Sequence, residues 1–207
     1  PPKDRNNSNK QTIFKGATAN PLRSLMDSFN CKMVYSFSGT DTTANPGFAT
    51  TSLRLNDIYN LDGAGSQPMG FDQISTVWGR FKVHSALLRV EISSIGSTMS
   101  QTVAGGPRFA GTAPTTMRAI RERQGACSKL VHLYETAVLA GEYSVRRVVG
   151  PNYVDVNFSG SYAASPASVV YWDFAWQPLT AVAAAIQWMG LVVFDVTWSQ
   201  RRNSPDA

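Results

Sequence analysis

Cysteine, histidine, charge and long apolar runs are all scarce in this chain. Of its 207 residues two are cysteine, two are histidine and only 16% are Asp, Glu, Lys or Arg. Cys31 and Cys127 are too few for a disulfide framework. Each falls in a β-patterned run, so both are expected as buried free thiols in a reducing compartment. His84 and His132, each expected inside a strand, have no Cys, His or paired carboxylate at ligand spacing, so no metal site is expected. A Gly-x-Ser-x-Gly elbow, a phosphate-cradling glycine loop and a zinc signature are also missing. Asp155, Asp173 and Asp195 are expected in three different strands, not as an acid–base pair. No catalytic residue or cofactor is expected, and the chain does not read as an enzyme. The one candidate for a membrane span, residues 179–194, is broken by Thr180 and Gln187 and is too short for a bilayer. The N-terminus has no apolar h-region, so no signal peptide is expected. Without one, the glycosylation-type triplets at Asn6 and Asn157 carry little weight.

What the chain does have is apolar content and turn chemistry. Hydrophobic residues make up 43%, with 16 Gly and 11 Pro, which is the composition of one ordered, turn-rich domain. A surface with so little charge suits a subunit covered by neighbours, although a weakly charged extracellular domain has the same composition. The charge is unevenly placed. Residues 1–25 hold Lys3, Arg5, Lys10, Lys15 and Arg23 against Asp4 alone, a net of +4 out of +5 for the whole chain. Polar, Pro-led and without apolar period, residues 1–28 are expected as a flexible basic arm, followed by one domain over 29–200 and a tail over 201–207. Such an arm neutralises phosphates without reading sequence; a solubilising tail is the plainer alternative.

Period-two alternation recurs along the body. Cys31, Met33, Tyr35 and Phe37 alternate with Lys32, Val34, Ser36 and Ser38, a half-buried strand with Lys32 on the wetter face, closed by a turn over 41–47. A second strand is expected over 48–56. In the run 80–93, Phe81 and Val83 share one face while Leu88, Val90 and Ile92 share the other, so the phase changes near Ser85 and Ala86, as at a bulge. A strand over 99–112 is interrupted by Gly105-Gly106-Pro107. Residues 114–124 predict a short helix, with Pro114 in its first turn, Met117 and Ile120 on one face, an Arg118–Glu122 pair and Gly125 as its stop. Further strands are expected over 127–134, 142–149, 153–158, 168–177 and 186–199. The last is the clearest, since Ile186, Trp188, Val192, Phe194, Val196 and Trp198 share a face with Gly190 in register. Eight or nine short strands without βαβ alternation make an all-β sandwich or barrel. Trp172, Trp176, Trp188 and Trp198 are expected in its core, not as base-stacking platforms.

Residues 53–92, LRLNDIYNLDGAGSQPMGFDQISTVWGRFKVHSALLRVEI, carry the most specific pattern. Two β-runs flank a turn-rich loop, Asp62-Gly-Ala-Gly-Ser66 and Gln67-Pro68. The loop holds a short helix that Asp72 is expected to cap, with Ile74, Val77 and Trp78 on one face and Gly79 as a left-handed stop. The order of these elements resembles the core of single jelly-roll capsid proteins from small circular single-stranded DNA viruses and their tombusvirus-like RNA relatives. Residues 169–176 and 190–198 are similar to the aromatic-rich last two strands of that family.

That resemblance implies an eight-stranded jelly-roll β-sandwich with short helices between strands. It also implies self-assembly into an icosahedral shell of about 60 copies or a multiple, with the arm inside on a single-stranded DNA or RNA genome, in a virion assembled in the host nucleus or cytoplasm. Nucleic-acid contacts are expected at Lys3, Arg5, Lys10, Lys15, Arg23 and Lys32. Subunit-interface or loop contacts are expected at Asp57, Tyr59, Met69, Phe71, Arg118, Arg121, Arg146 and Arg147. The last two, flanked by Val145 and Val148, also suit a phosphate-binding edge, as do Arg118, Arg121 and Arg123. The arm is thinner than the long Arg-rich arms of many members. A carbohydrate- or receptor-binding jelly roll is the alternative, and a nonviral nucleic-acid-binding domain comes third; no membrane partner is expected.

Overall fold

A computed structural model describes residues 28–43, 47–95, 100–109, 111–180 and 184–202. Among these are nine strands: β1 (Ser28–Thr43), β2 (Ala49–Arg54), β3 (Trp78–Ile95), β4 (Gln101–Phe109), β5 (Cys127–Val131), β6 (Thr136–Ser144), β7 (Ser159–Ser161), β8 (Val170–Pro178) and β9 (Ala184–Arg201). Three helices of five residues, α1 (Phe71–Ser75), α2 (Met117–Arg121) and α3 (Val145–Val149), lie in the connections, with a 3-10 turn at Asp155–Phe158. None of the described helices is long and apolar enough to cross a membrane.

The strands form two antiparallel sheets. Sheet one has the order β1-β9-β3-β6, with β7 extending the β6 line along β3, and sheet two has the order β2-β8-β4-β5. Setting β7 aside, eight strands in this order make a jelly roll. Alternation explains why the sheets close on each other. Met33 from β1, Phe194, Val196 and Trp198 from β9, and Trp172, Phe174 and Trp176 from β8 are all buried in the space between them. Trp188 is only partly buried and packs its ring against Phe174 at 5.2 Å. The expected phase change in β3 is present: the ladder to β9 shifts between Val83 and Ser85, His84 takes the extra position, and the buried residues pass from Phe81 and Val83 to Ala86, Leu88, Val90 and Ile92.

Several local expectations fail for identifiable reasons. Gly105-Gly106-Pro107 does not interrupt β4, which stays paired to β8 as far as Phe109. A side chain at Gly105 would overlap the Trp172 indole, and Pro107 is tolerated because pairing to β5 has ended at Gly105. The run 142–149 is not one strand: Ser144 accepts a hydrogen bond from the Arg147 amide at 3.2 Å and starts α3. Residues 153–158 hold the 3-10 turn instead of a strand. Helix α1 is preceded by Gly70 at φ 86°, not capped by Asp72, and it ends before Val77; Trp78 opens β3. Gly79 therefore lies inside a strand, where an added Cβ would sit 3.0 Å from the Gln200 carbonyl oxygen. Pro114 precedes α2, and Thr116 is the cap, accepting from the Ala119 amide at 3.2 Å. His132 lies just past β5 and not within it. Cys31 and Cys127 are half-buried, not buried, and burial is the main reason both thiols titrate above their ordinary value.

The connections gather at two ends. At one, Leu179 donates its amide to the Ser100 carbonyl at 3.2 Å and Ser100 meets His132 at 2.7 Å. At the other, the β2–β3 and β6–β8 connections are tied together: Asn56 donates to the Ser168 carbonyl at 2.9 Å and accepts from the Val170 amide at 2.8 Å. Tyr162 there donates to the Gly79 carbonyl at 3.1 Å.

Candidate subunit and nucleic-acid interfaces

Each sheet turns one face to the core and one outward, and the two outward faces differ. On sheet two, Asp173 points out of β8 yet is fully buried, because residues from three other segments converge on it. Arg108 Nε and Arg123 Nη1 donate to its Oδ2 at 2.7 and 2.6 Å, Arg108 Nη2 to its Oδ1 at 3.1 Å and Ser52 Oγ to its Oδ1 at 2.5 Å. Burial pushes the Asp173 carboxyl up, but the bonds from Arg108, Ser52 and Arg123 outweigh it and hold the group below the usual carboxylate range. Arg108 also lies 4.2 Å over the Tyr171 ring. These contacts pin the segment carrying α2, whose Met117 and Ile120 bury themselves against Ala104 and Ala175.

Part of the outward face of sheet one is left uncovered by the described residues. Its rows follow from the register. Val34, Val193 and Leu87 form one, Ser36, Leu191 and Arg89 the next, and Ser38, Met189 and Glu91 the third. Val34, Leu87, Met189 and Leu191 are between 41% and 53% exposed, too much for core and too closely grouped for scattered surface residues. Arg89 and Glu91 pair at 2.8 Å on its rim.

Another part of the same face is basic and hydroxylated. Ser28, Ser199, Arg80 and Ser161 form a row across β1, β9, β3 and β7, and Asn30, Thr197, Lys82 and Ser159 form the next. Lys82 pairs with Asp155 at 2.5 Å, and that contact is the main reason the Asp155 carboxyl sits below its ordinary value. His84 meets Thr197 at 2.6 Å. Beyond the row, Gln200 adopts φ 56°, and Arg201 and Arg202 follow it. Arg201 lies 5.9 Å over Trp78, while Arg202 lies 3.8 Å over Tyr162 and donates to the Ser75 carbonyl at 3.0 Å.

Lys3, Arg5, Lys10, Lys15 and Arg23 lie outside the described residues. Lys32 is exposed on the outward face of sheet one, opposite Asp195. Asp57 and Phe71 are buried within their own connection. Asp57 accepts from the Tyr59 and Asn60 amides at 3.2 Å and pairs with Arg54 at 2.9 Å; Phe71 packs on Trp198 and, with Tyr59, closes the loop. These two shape the loop and have no surface to offer a neighbour, whereas Met69 is 90% exposed. Arg118 and Arg121 are exposed on α2, with Arg118 paired to Glu122 at 2.5 Å. Arg146 and Arg147 are exposed on α3. Arg123, expected among free phosphate ligands, is held by Asp173. Arg80, Arg201 and Arg202 do not stand out in the sequence; the adjacent Arg201-Arg202 pair is the available signal. Among the described residues no group of His, Cys, Asp and Glu is placed to hold a metal ion.

Strand order and sheet pairing together define the single jelly roll, and solved structures of the same fold exist. No family model and no curated sequence matches the chain. The structure of tobacco necrosis virus superposes with a TM-score of 0.56 at 15% identity, covering 86% of this chain and 85% of that one. That of cocksfoot mottle virus superposes with a TM-score of 0.50 at 10% identity, covering 85% of this chain and 97% of that one. The fold expected from residues 53–92 is thus the fold observed.

Proposed function

We propose that this chain is a viral coat protein, structural and not catalytic, whose copies close into an icosahedral shell around a single-stranded genome. The observation that carries this reading is the bare apolar part of sheet one on a jelly roll of virus-shell type. A rigid wedge with an uncovered apolar face gains by burying it against another copy, and closed symmetry repeats the gain at every contact. The basic residues Lys3, Arg5, Lys10, Lys15 and Arg23, with Lys32 on the body, would contact the genome without sequence preference, the shell forming in host nucleus or cytoplasm. The likeness to the structures of tobacco necrosis virus and cocksfoot mottle virus supports the fold on which this rests.

Negative-stain electron microscopy of the purified chain, with absorbance at 260 and 280 nm on the same sample, tests it. Uniform closed particles with excess 260 nm absorbance are expected. A monodisperse monomer across salt and pH contradicts the reading and favours the second one, a jelly-roll binding module. One observation speaks for that second reading: Tyr35, Phe37 and Trp188 line an open groove of about 820 Å³ along the β1 edge.

A further inference from the structure

The geometry points to a phosphate-binding groove for single-stranded nucleic acid, built by Arg80, Arg201 and Arg202 at the end of sheet one where the chain enters β1. The groove holds about 610 Å³ and is lined by these arginines with Ser159, Ser161 and Tyr162, with no carboxylate among the described lining residues. None of the three guanidinium groups makes an ion pair among the described residues. Three arginines that line one groove with no carboxylate among the described lining residues repel one another, and an anion relieves that repulsion. The Ser161 hydroxyl beside them accepts from the Ala163 amide at 3.3 Å and keeps its proton for a phosphate oxygen, whereas that of Ser159 donates to the Asp155 carbonyl.

The backbone is arranged for this. Gln200 is one of two described non-glycine residues at positive φ, a conformation that costs energy and is kept where the surroundings impose it. The neighbouring strand accommodates it through Gly79, where any Cβ would press on the Gln200 carbonyl. Gln200, Arg201 and Arg202 are all exposed in succession. Arg201 lies over Trp78 and Arg202 over Tyr162, and Arg202 spends one donor, Nη1, on the Ser75 carbonyl. Arg80 stands between Ser199 and Ser161 in its row.

Ligand class follows from size, charge and position. A groove of this size takes the backbone of a single strand, whereas a duplex needs a wider open surface. Ser28 stands in the same row as Arg80, so residues 1–27, with five basic side chains and two acidic ones, Asp4 and Asp27, join the body beside the groove. The identity of the ligand as a genome rests on the coat reading; the groove itself does not.

Fluorescence anisotropy of a labelled oligodeoxythymidylate, titrated with the full chain at several salt concentrations, tests the site. Removing one phosphate-binding side chain should lower the slope of log K against log salt by about 0.7. R80Q alone should weaken binding several-fold, and R80Q/R201Q/R202Q by about tenfold or more with a slope change near 2, also when Lys3, Arg5, Lys10, Lys15 and Arg23 are all Gln. Unchanged affinity and slope in the triple variant, at wild-type melting temperature, would overturn the proposal. Should that variant unfold, R80Q decides, since no hydrogen bond or ion pair of its side chain is seen among the described residues. Equal affinity for the duplex would overturn the single-strand assignment. Electron microscopy of the wild type separates the two readings: a slope change without shells leaves the groove and removes the coat, and shells with an unchanged slope do the reverse.

Discussion

The outward faces of the two sheets solve the same problem in different ways. Sheet two covers its face with its own chain: Asp173 gathers Arg108, Arg123 and Ser52, and α2 lays Met117 and Ile120 over Ala104 and Ala175. Sheet one has the longer strands and leaves Val34, Leu87, Met189 and Leu191 open to solvent. A buried carboxylate destabilises the fold unless it is fully paired, so this face is kept closed by an anchor that works only when all its partners are present. Among the described residues nothing covers the apolar side chains of the other face in this way. One face therefore serves the stability of the subunit, while the other is available to a second copy.

Substitutions on each face should separate those roles. The largest effect on the free subunit is expected from Asp173→Ala, which strands two arginines and should cost about 3–5 kcal/mol in denaturant unfolding. The same carboxyl sets an acid limit. Its pKa is lower folded than unfolded, so its contribution is complete above the unfolded value of about 4 and is lost as pH falls through the folded value. Asp173→Asn should flatten that acid dependence in thermal melts. Ile120→Ala should cost about 2–4 kcal/mol by opening a cavity under α2, and Thr116→Ala about 1 kcal/mol by removing its cap. Leu191→Ala, equally apolar but on the bare face, should stay within about 0.5 kcal/mol of wild type in the free subunit. A loss comparable to that of Ile120→Ala would show that the face is covered within the monomer. Glu122→Ala, which frees an exposed i,i+4 pair, should change stability by no more than about 0.5 kcal/mol.

The covered face is the harder one to read from sequence. Alternation announces β1 and β9, and the shift of apolar positions from Val83 to Ala86 announces the bulge at His84, because each signal is local and period two has no competitor there. Asp173 gives no such signal, since its partners are 121, 65 and 50 residues away and meet only when the sheet forms. It reads as one more isolated acid in a strand. Glycine misleads in both directions. Gly79 looks like a helix stop and is a strand position that a neighbouring carbonyl requires to be small, while Gly105 and Gly106 look like a break and lie within β4. The run 142–149 is apolar enough for a strand, but the Ser144 cap turns its second half into α3. On the bare face Val34 reads as outward from alternation alone, yet the clustering of Leu87, Leu191 and Met189 beside it depends on register across three strands, which no single run contains.

The most direct measurement compares particle formation by wild type and by Leu87→Asp/Leu191→Asp under the same conditions, using electron microscopy together with the melting temperature of the dissociated subunit. Two carboxylates on this face should leave the fold intact, because both positions are solvated in the monomer, and should abolish shells, because burying them between copies has no compensating partner. Closed particles from the wild type and isolated, stably folded subunits from the variant are the predicted result. Closed particles from both would contradict the assignment of this face to the contact between copies.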